Sequence, residues 1–249
     1  MRTQPDFLAR HVGKLISSSQ RIAALTGAGI STKAGIPDFR GPRGLYVTRQ
    51  YDPDKVFDID YFLSDPRPFF QFARDFIGLE ETLTPTHTHR FLAKLEAMGK
   101  LEGIVTQNID SLHHKAGSKQ VYEMHGSFWQ SFCRDCRQEF SYPLMCKKLL
   151  AEEIPRCSCG GVIKPDVVFF GENVKFLPES YALAETADLL FVIGTSCVVY
   201  PAALLPTLTK GQVVVVNLDK VKISTHNPIL EIQGDIDEFF EQVEAYMVC

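Results

Sequence analysis

Two sets of residues in this chain have the types and the spacing to do chemistry. The first is sulfur: "CRDC" and "CSC" place Cys133 and Cys136, then Cys157 and Cys159, as two close pairs separated by twenty residues. Four thiolates at about 2.3 Å satisfy tetrahedral Zn²⁺ and leave no open position, which predicts a structural rather than a catalytic metal. The C-x-C pair is tighter than C-x-x-C, but Gly160 and Gly161 follow it and can supply a sharp turn. Cys146, between the pairs, is the substitute ligand that the pattern leaves open, and unrelated buried thiols are the alternative to a metal. Cys197 and Cys249 stand apart and are expected to be a buried small hydrophobe and a free tail thiol.

The second set begins at "GAGISTKAGIPDFRG" (27–41), directly after the apolar run "RIAAL" (21–25). Gly27 and Gly29 at the end of a strand let a backbone come close to a pyrophosphate at a helix N-terminus. Thr32 stands where G-x-G-x-x-G needs its third glycine, so this loop alone leaves a dinucleotide site and a plain tight turn both open. "IGTS" (193–196), "VNLD" (216–219) and "TQNID" (106–110) put further small or polar residues just past apolar runs, where open α/β sheets bind ligands. Among the histidines, His87, His89, His113, His114 and His226 are expected to be structural, with "PTHTH" reading as a helix start. His125, in "MHG", falls between the sheet-forming segments and the cysteine module, where clefts form.

These residues need strands to carry them. The runs at 21–26, 102–107, 188–194 and 212–218 are apolar throughout rather than alternating, which predicts strands covered on both faces, as in a parallel sheet. Helical patterns at 88–100 and 178–187 each precede such a run, and 235–247 reads as a closing helix. The fold class is therefore α/β, a Rossmann-like doubly wound parallel sheet with a smaller zinc-binding and helical domain. Segments 1–37, 86–125 and 166–249 are assigned to the sheet domain. Two excursions, 38–85 with its prolines and aromatics and 126–165 with the cysteines, are assigned to the small one.

Composition narrows the function classes. The 249 residues, 45% of them hydrophobic and 22% charged, can bury a sizeable core, and a net charge of -4 argues against a nucleic-acid or anionic-membrane partner. The N-terminal stretch carries Asp6, Arg10, His11 and Lys14 and reads as an amphipathic helix rather than a signal peptide. An odd cysteine count with metal-type spacing favours a reducing compartment, so an intracellular, cytoplasmic protein is expected.

Taken together, "GAGISTKAGIPDFRG", "TQNIDSLH" (106–113), "HG" (125–126), the two cysteine pairs, "KPDVVFFGE" (164–172), "GTSCVVYPAA" (194–203) and "VNLD" resemble, in order and spacing, the sirtuin family of NAD-dependent protein deacylases. The resemblance spans roughly 20–240. It implies NAD as a consumed co-substrate, structural zinc, and a cleft between the two domains. On that resemblance Gly27, Ala28, Gly29, Ser31 and Ala34 line the phosphates and ribose, and Asp38, Phe39 and Arg40 belong to a covering loop. Gln107, Asn108, Ile109 and Asp110 surround the nicotinamide, while Gly194, Thr195, Ser196, Asn217, Leu218, Asp219 and Ile236 hold the adenosine half. His125 becomes the general base, with Asn108 orienting a ribose hydroxyl or a water.

The resemblance also implies that an acyl-lysine peptide adds as a strand against Val168, Phe169, Phe170, Gly171 and Glu172 on one side and Val199 on the other. Members that remove acidic acyl groups carry a tyrosine and an arginine where this chain has Ala73 and Phe76, so acetyl or longer apolar acyl groups are expected here. Ser111 replaces a commoner glycine. The expected activity is deacetylation with transfer of the acyl group to ADP-ribose, by a monomer acting on proteins or peptides. ADP-ribosyl transfer and a non-catalytic NAD or ADP-ribose sensor remain as alternatives.

Overall fold

The computed structural model describes residues 4–36, 51–80, 82–223 and 225–247. Its strands in chain order are β1 (Ile22–Thr26), β2 (Leu101–Thr106), β3 (Val121–Glu123), β4 (Gly126–Cys133), β5 (Glu139–Ser141), β6 (Ile163–Val167), β7 (Leu189–Ile193), β8 (Gln212–Asn217) and β9 (Ile229–Gln233). Six of them form one all-parallel sheet in the order β3-β2-β1-β7-β8-β9. The chain builds outward from β1, returns to lay β7 beside it, and then builds the other way. Such a reversal leaves a crevice at the carboxyl ends of the two central strands.

The apolar runs are explained by burial on both faces. Ile22, Ala24, Phe191, Ile193, Val214 and Val216 pack on the helices Gln4–Ser18, His87–Ala97 and Ile236–Tyr246 through Ala9, Val12, Ile16, Phe91, Leu92, Phe240 and Val243. Their neighbours Ala23, Leu25, Leu190, Val192, Val213 and Val215 face the opposite layer, which includes Leu183 and Ala184 of the helix Leu177–Thr186. A strand with period two and helices on both sides must be apolar at every position. The short edge strands β3 and β9, half polar, carry no such signature in the sequence.

A second sheet, antiparallel and ordered β5-β4-β6, interrupts the path from β3 to β7. Its core is aromatic: Phe57, Phe62, Phe69, Phe70, Phe72 and Phe76 from the first excursion meet Phe128, Phe140 and Phe169 from the second. Phe69 lies 6.2 Å from Phe128 and 4.9 Å from Phe169, ring centre to ring centre. Arg74 joins the two segments as well, donating to the carbonyls of Leu149 (2.8 Å) and Glu152 (2.6 Å) at the end of the helix Tyr142–Ala151. Those carbonyls have no partner within their own helix. β6 runs on to Val167, past the expected boundary at 165. No helix among the described residues is long and apolar enough to cross a membrane.

Candidate active site

The crevice opens into a cavity of about 720 Å³ whose lining comes from the ends of β1, β2, β7, β8 and β9 on one side and from the aromatic module on the other. Gly27 donates its N–H to the carbonyl of Ile193 (3.0 Å), and Gly29 donates to that of Gly194 (2.8 Å). A Cβ on Gly27 would lie 2.8 Å from Thr195 Cβ, and one on Gly29 2.7 Å from Gly194 Cα. The two glycines therefore let the loop close onto the end of β7, a packing reason beyond any ligand. The helix that begins at Ala28 is of the 3₁₀ type rather than α, and it ends after Ala34 at Gly35, with φ 99°.

A chain of hydrogen bonds forms the floor. Gln107 donates from Nε2 to Thr195 Oγ1 (2.9 Å), and Asn108 donates from Nδ2 to the Gly27 carbonyl and to Ser31 Oγ (3.2 Å each). Ser31 in turn donates to Asp110 Oδ2 (2.6 Å), while the Leu112 N–H reaches Asp110 Oδ1 (3.0 Å). Burial pushes the Asp110 carboxyl up, against the pull of the bonds from Ser31, Leu112 and Asn108. Ser111, next in sequence, adopts φ 58°, the left-handed region that explains the commoner glycine there.

His125 stands at the seam of the two regions and lines the cavity. Its Nδ1 lies 2.9 Å from the carbonyl oxygen of Gln107. A carbonyl can only accept, so Nδ1 carries the hydrogen and Nε2 is left with its lone pair. Burial lowers this imidazole below its ordinary value of 6.5, although the Gln107 carbonyl works the other way. The neutral, proton-accepting form is thereby favoured at neutral pH. Other histidines serve the fold: His89 completes a capping box with Thr86, and His113 Nε2 meets Thr26 Oγ1 at 2.9 Å, both deep in the core.

On the module side Phe57, Phe72, Phe76, Ile109 and Val167 through Glu172 line the cavity. The segment after Val167 is not a regular strand. Its N–H groups at Val168 and Phe170 donate to the carbonyls of His125 (2.8 Å) and Phe57 (2.7 Å), which joins it to both regions. Phe169 is buried in the aromatic core, whereas Phe170 is 50% exposed. Val199 and Tyr200 line the facing edge. Phe76 lines the cavity, whereas Ala73 is fully buried and is not among the lining residues. Lys33 is the single cation among the described lining residues, and Asp235 holds it at 2.7 Å.

Of the residues singled out in the sequence, Gly27, Ala28, Gly29, Gln107, Asn108, Ile109, Asp110, His125, Gly194, Thr195, Ser196, Asn217, Leu218, Asp219 and Ile236 are brought together around this cavity. Ser31 and Ala34 are not among its lining, and Ser31 sits behind Asn108 and Asp110. Asp38, Phe39 and Arg40 lie outside the described residues. Tyr51, Phe57, Phe72, Asp75, Asp235 and Asp237 line the cavity without having been expected. The only signal for the first four is aromatic density in 51–76.

The four cysteines fit a zinc ion. Sγ of Cys133 is 3.5 Å from that of Cys159, and Sγ of Cys136 is 3.7 Å from that of Cys157, with all four within 4.8 Å of one another. A tetrahedron with bonds of about 2.3 Å has edges of about 3.8 Å, so the spacing suits one metal with four thiolates. Cys146 is not part of this group.

A sequence profile described as the Sir2 family matches residues 27–201. The NAD-dependent protein deacetylase of Thermotoga maritima is 43% identical over 235 residues, covering 92% of this chain and 94% of that protein. The one from Sulfurisphaera tokodaii is 40% identical, covering 95% and 94%. Among solved structures, a Sir2 protein with a deacetylated p53 peptide and 3'-O-acetyl ADP ribose superposes with a TM-score of 0.88 at 40% identity, covering 95% of this chain and 97% of that one. A Sir2 complex with p53 peptide and NAD+ gives 0.85 at 40% identity, covering 98% of each. With a profile match over most of its length and such identity across nearly the whole chain, this protein belongs to the Sir2 family.

Proposed function

We propose that this chain is an NAD-dependent protein-lysine deacetylase that transfers the acetyl group of acetyl-lysine to ADP-ribose and releases nicotinamide. The observation that carries the reading is the His125 imidazole, held in one tautomer by Gln107 with its free Nε2 at the seam of a cavity that could take a dinucleotide from the sheet side and a peptide from the module side. NAD is a substrate here. Its adenosine half lies against Gly194, Thr195, Ser196, Asn217, Leu218, Asp219 and Ile236, its phosphates near Ala28 and Gly29, and its nicotinamide near Asn108, Ile109 and Asp110. Ser31 acts from behind by fixing the Asp110 carboxylate and the Asn108 amide rather than by touching NAD.

The peptide enters between Val168, Phe170, Gly171 and Glu172 on one side and Val199 on the other, and Phe169 backs the acyl group. The acyl oxygen attacks the ribose carbon as nicotinamide leaves, so the bond lost is glycosidic and no hydride moves. His125 Nε2 then accepts a ribose hydroxyl proton as that hydroxyl oxygen bonds to the acyl carbon. The carbon–nitrogen bond breaks, lysine leaves as the amine with a proton, and a water supplies the oxygen that completes the ester on ADP-ribose, Asn108 orienting that hydroxyl or the water. An acyl chain ending in a carboxylate would be buried without a partner, because Arg74 is turned to the Leu149 and Glu152 carbonyls and Lys33 is held by Asp235. Zinc, held by Cys133, Cys136, Cys157 and Cys159, supports the module and takes no part in the chemistry. Thiolates of this kind suit a reducing cytoplasm, where the enzyme works as a monomer.

The test is mass spectrometry of an acetyl-lysine peptide incubated with NAD. Deacetylated peptide, nicotinamide and acetylated ADP-ribose are expected, and His125→Ala should lower turnover by about 10²–10⁴-fold while still binding NAD. The acid limb of kcat/KM should lie below about pH 6.5, since burial lowers the His125 imidazole. A protein labelled with ADP-ribose and no deacetylated peptide would instead make the chain an ADP-ribosyltransferase. NAD bound but never converted would make it a sensor.

A further inference from the structure

Lys164 is a lysine with only 7% of its surface exposed, and lysines are almost never that buried unless paired. Its ammonium donates to the Val167 carbonyl (2.6 Å) and to Glu172 Oε2 (2.8 Å), and it sits 3.9 Å from the centre of the Phe169 ring. The same Oε2 accepts the Phe169 N–H (3.0 Å), and Glu172 Oε1 meets Arg134 at 3.5 Å. Every one of these contacts closes the turn from Val167 to Glu172. Gly171, at φ 91°, completes it, since a Cβ there would press to 2.7 Å from Ile59. Phe170 is thereby turned outward while Phe169 is turned into the core.

Both cations come from the strand pair that carries the cysteine knuckle. Lys164 stands opposite Phe132 in the β4–β6 register, and Arg134 follows Cys133 and donates its N–H to Val162 (2.9 Å). A buried ion pair is a poor device for stability alone, because well-packed apolar groups of similar volume do as well. What it supplies is a defined shape. We propose that Lys164 is a positioning residue for the substrate peptide: with Arg134, it clamps Glu172 so that the 168–171 segment presents its outer edge to an acyl-lysine strand. The inference rests on the proposed placement of the peptide at that edge.

The experiment measures acetyl-peptide affinity by fluorescence anisotropy, NAD affinity, and the two KM values against kcat, for four single variants. Lys164→Met should weaken peptide binding about tenfold or more and leave NAD binding within about twofold, because a misplaced edge affects the partner that must align with it. Lys164→Arg should restore part of the loss. Arg134→Gln, at a half-exposed site, should shift peptide affinity the same way by about threefold, and it carries the test if Lys164→Met fails to fold. Phe170→Ala reports on the cleft itself. If it weakens the peptide while Lys164→Met and Arg134→Gln do not, the clamp is overturned and the cleft reading stands. If all of these leave peptide affinity unchanged, the cleft reading falls and takes the clamp with it. Equal weakening of peptide and NAD, unrelieved by Lys164→Arg, would also overturn the clamp by making Lys164 a general support of the fold.

Discussion

The two walls of the cavity are built by different means. The sheet wall is made of backbone: glycines pressed against the end of β7, carbonyls and N–H groups in fixed directions, and side chains such as Gln107, Asn108 and Ser31 linked to one another. The module wall is made of phenylalanines drawn from two distant stretches, closed by an ion pair and four thiolates. A parallel sheet with both faces covered is held by many neighbouring strands and tolerates local loss. The module's sheet has only three strands among the described residues, and the module depends on what cross-links it. Rigid polar groups suit the chemistry of a nucleotide, whereas an apolar face with an open edge suits a variable acyl-peptide.

The largest effect that could break this contrast is metal removal. Apparent binding energies of structural zinc, about 10–16 kcal/mol, match or exceed the whole stability of a typical domain. Trp129 is the single tryptophan and lies on β4 against Tyr142, so its fluorescence reports on the module alone. A strong chelator should shift Trp129 emission and abolish peptide binding while the far-UV signal of the parallel sheet largely persists. An unchanged Trp129 spectrum in metal-free protein would mean that the aromatic core stands without its cross-link.

Acid should act on the sheet side instead. Burial lowers the His89 imidazole from 6.5 to about 4, and His113, whose ring is 4.7 Å away, is lowered well below its ordinary value by the same cause. Between about pH 6.5 and 4 the unfolded chain binds more protons at these sites, so the stability they contribute is full above about 6.5 and falls as pH drops through that window. For His89 the loss is on the order of 2–4 kcal/mol. Glu123 works in the opposite sense, since burial pushes its carboxyl up to about 7 and its contribution is lost as pH rises toward that value. The decisive measurement is therefore the difference in urea stability between wild type and His89→Gln across pH 4–7. A difference that does not change with pH would show that His89 binds protons alike in the folded and the unfolded protein, and that burial does not lower it.

The smallest change sharpens the contrast from within the polar floor. Ser111 holds φ 58° with its hydroxyl buried and without a hydrogen-bond partner. Ser111→Gly removes a left-handed strain worth about 1–2 kcal/mol, offset in part by greater freedom of the unfolded chain. A net gain of a few tenths to about 1 kcal/mol in thermal unfolding is expected, with deacetylation unchanged. A loss of stability would mean that the serine makes a contact through ordered water.

Much of this architecture is legible along the chain. The four strands at 21–26, 102–107, 188–194 and 212–218 announce themselves because a strand buried on both faces has no room for polar residues, and the cysteine pairs do so because thiolates at short spacing have few other uses. β3, β9 and the small antiparallel sheet give no such sign, since short edge strands with mixed faces look like loops. The segment at 168–172 has the composition of a strand but makes only an isolated bridge at Phe170 before it turns, and its Glu172 is bonded to a lysine eight residues earlier.

The sequence by itself determined the α/β class, the clustering of four cysteines and the residues gathered at the strand ends, because periodicity and close spacing act along the chain, and its ordered motifs carried the family resemblance. Only the tertiary structure decided which nitrogen of His125 is free, that Ser31 is bonded to Asp110 and Asn108 rather than lining the cavity, that Ala73 is buried outside its lining, and that Phe169 and Phe170 part company. Each of those depends on a partner tens of residues away or on which side of a turn a side chain falls, and such directions exist only once the chain has closed on itself.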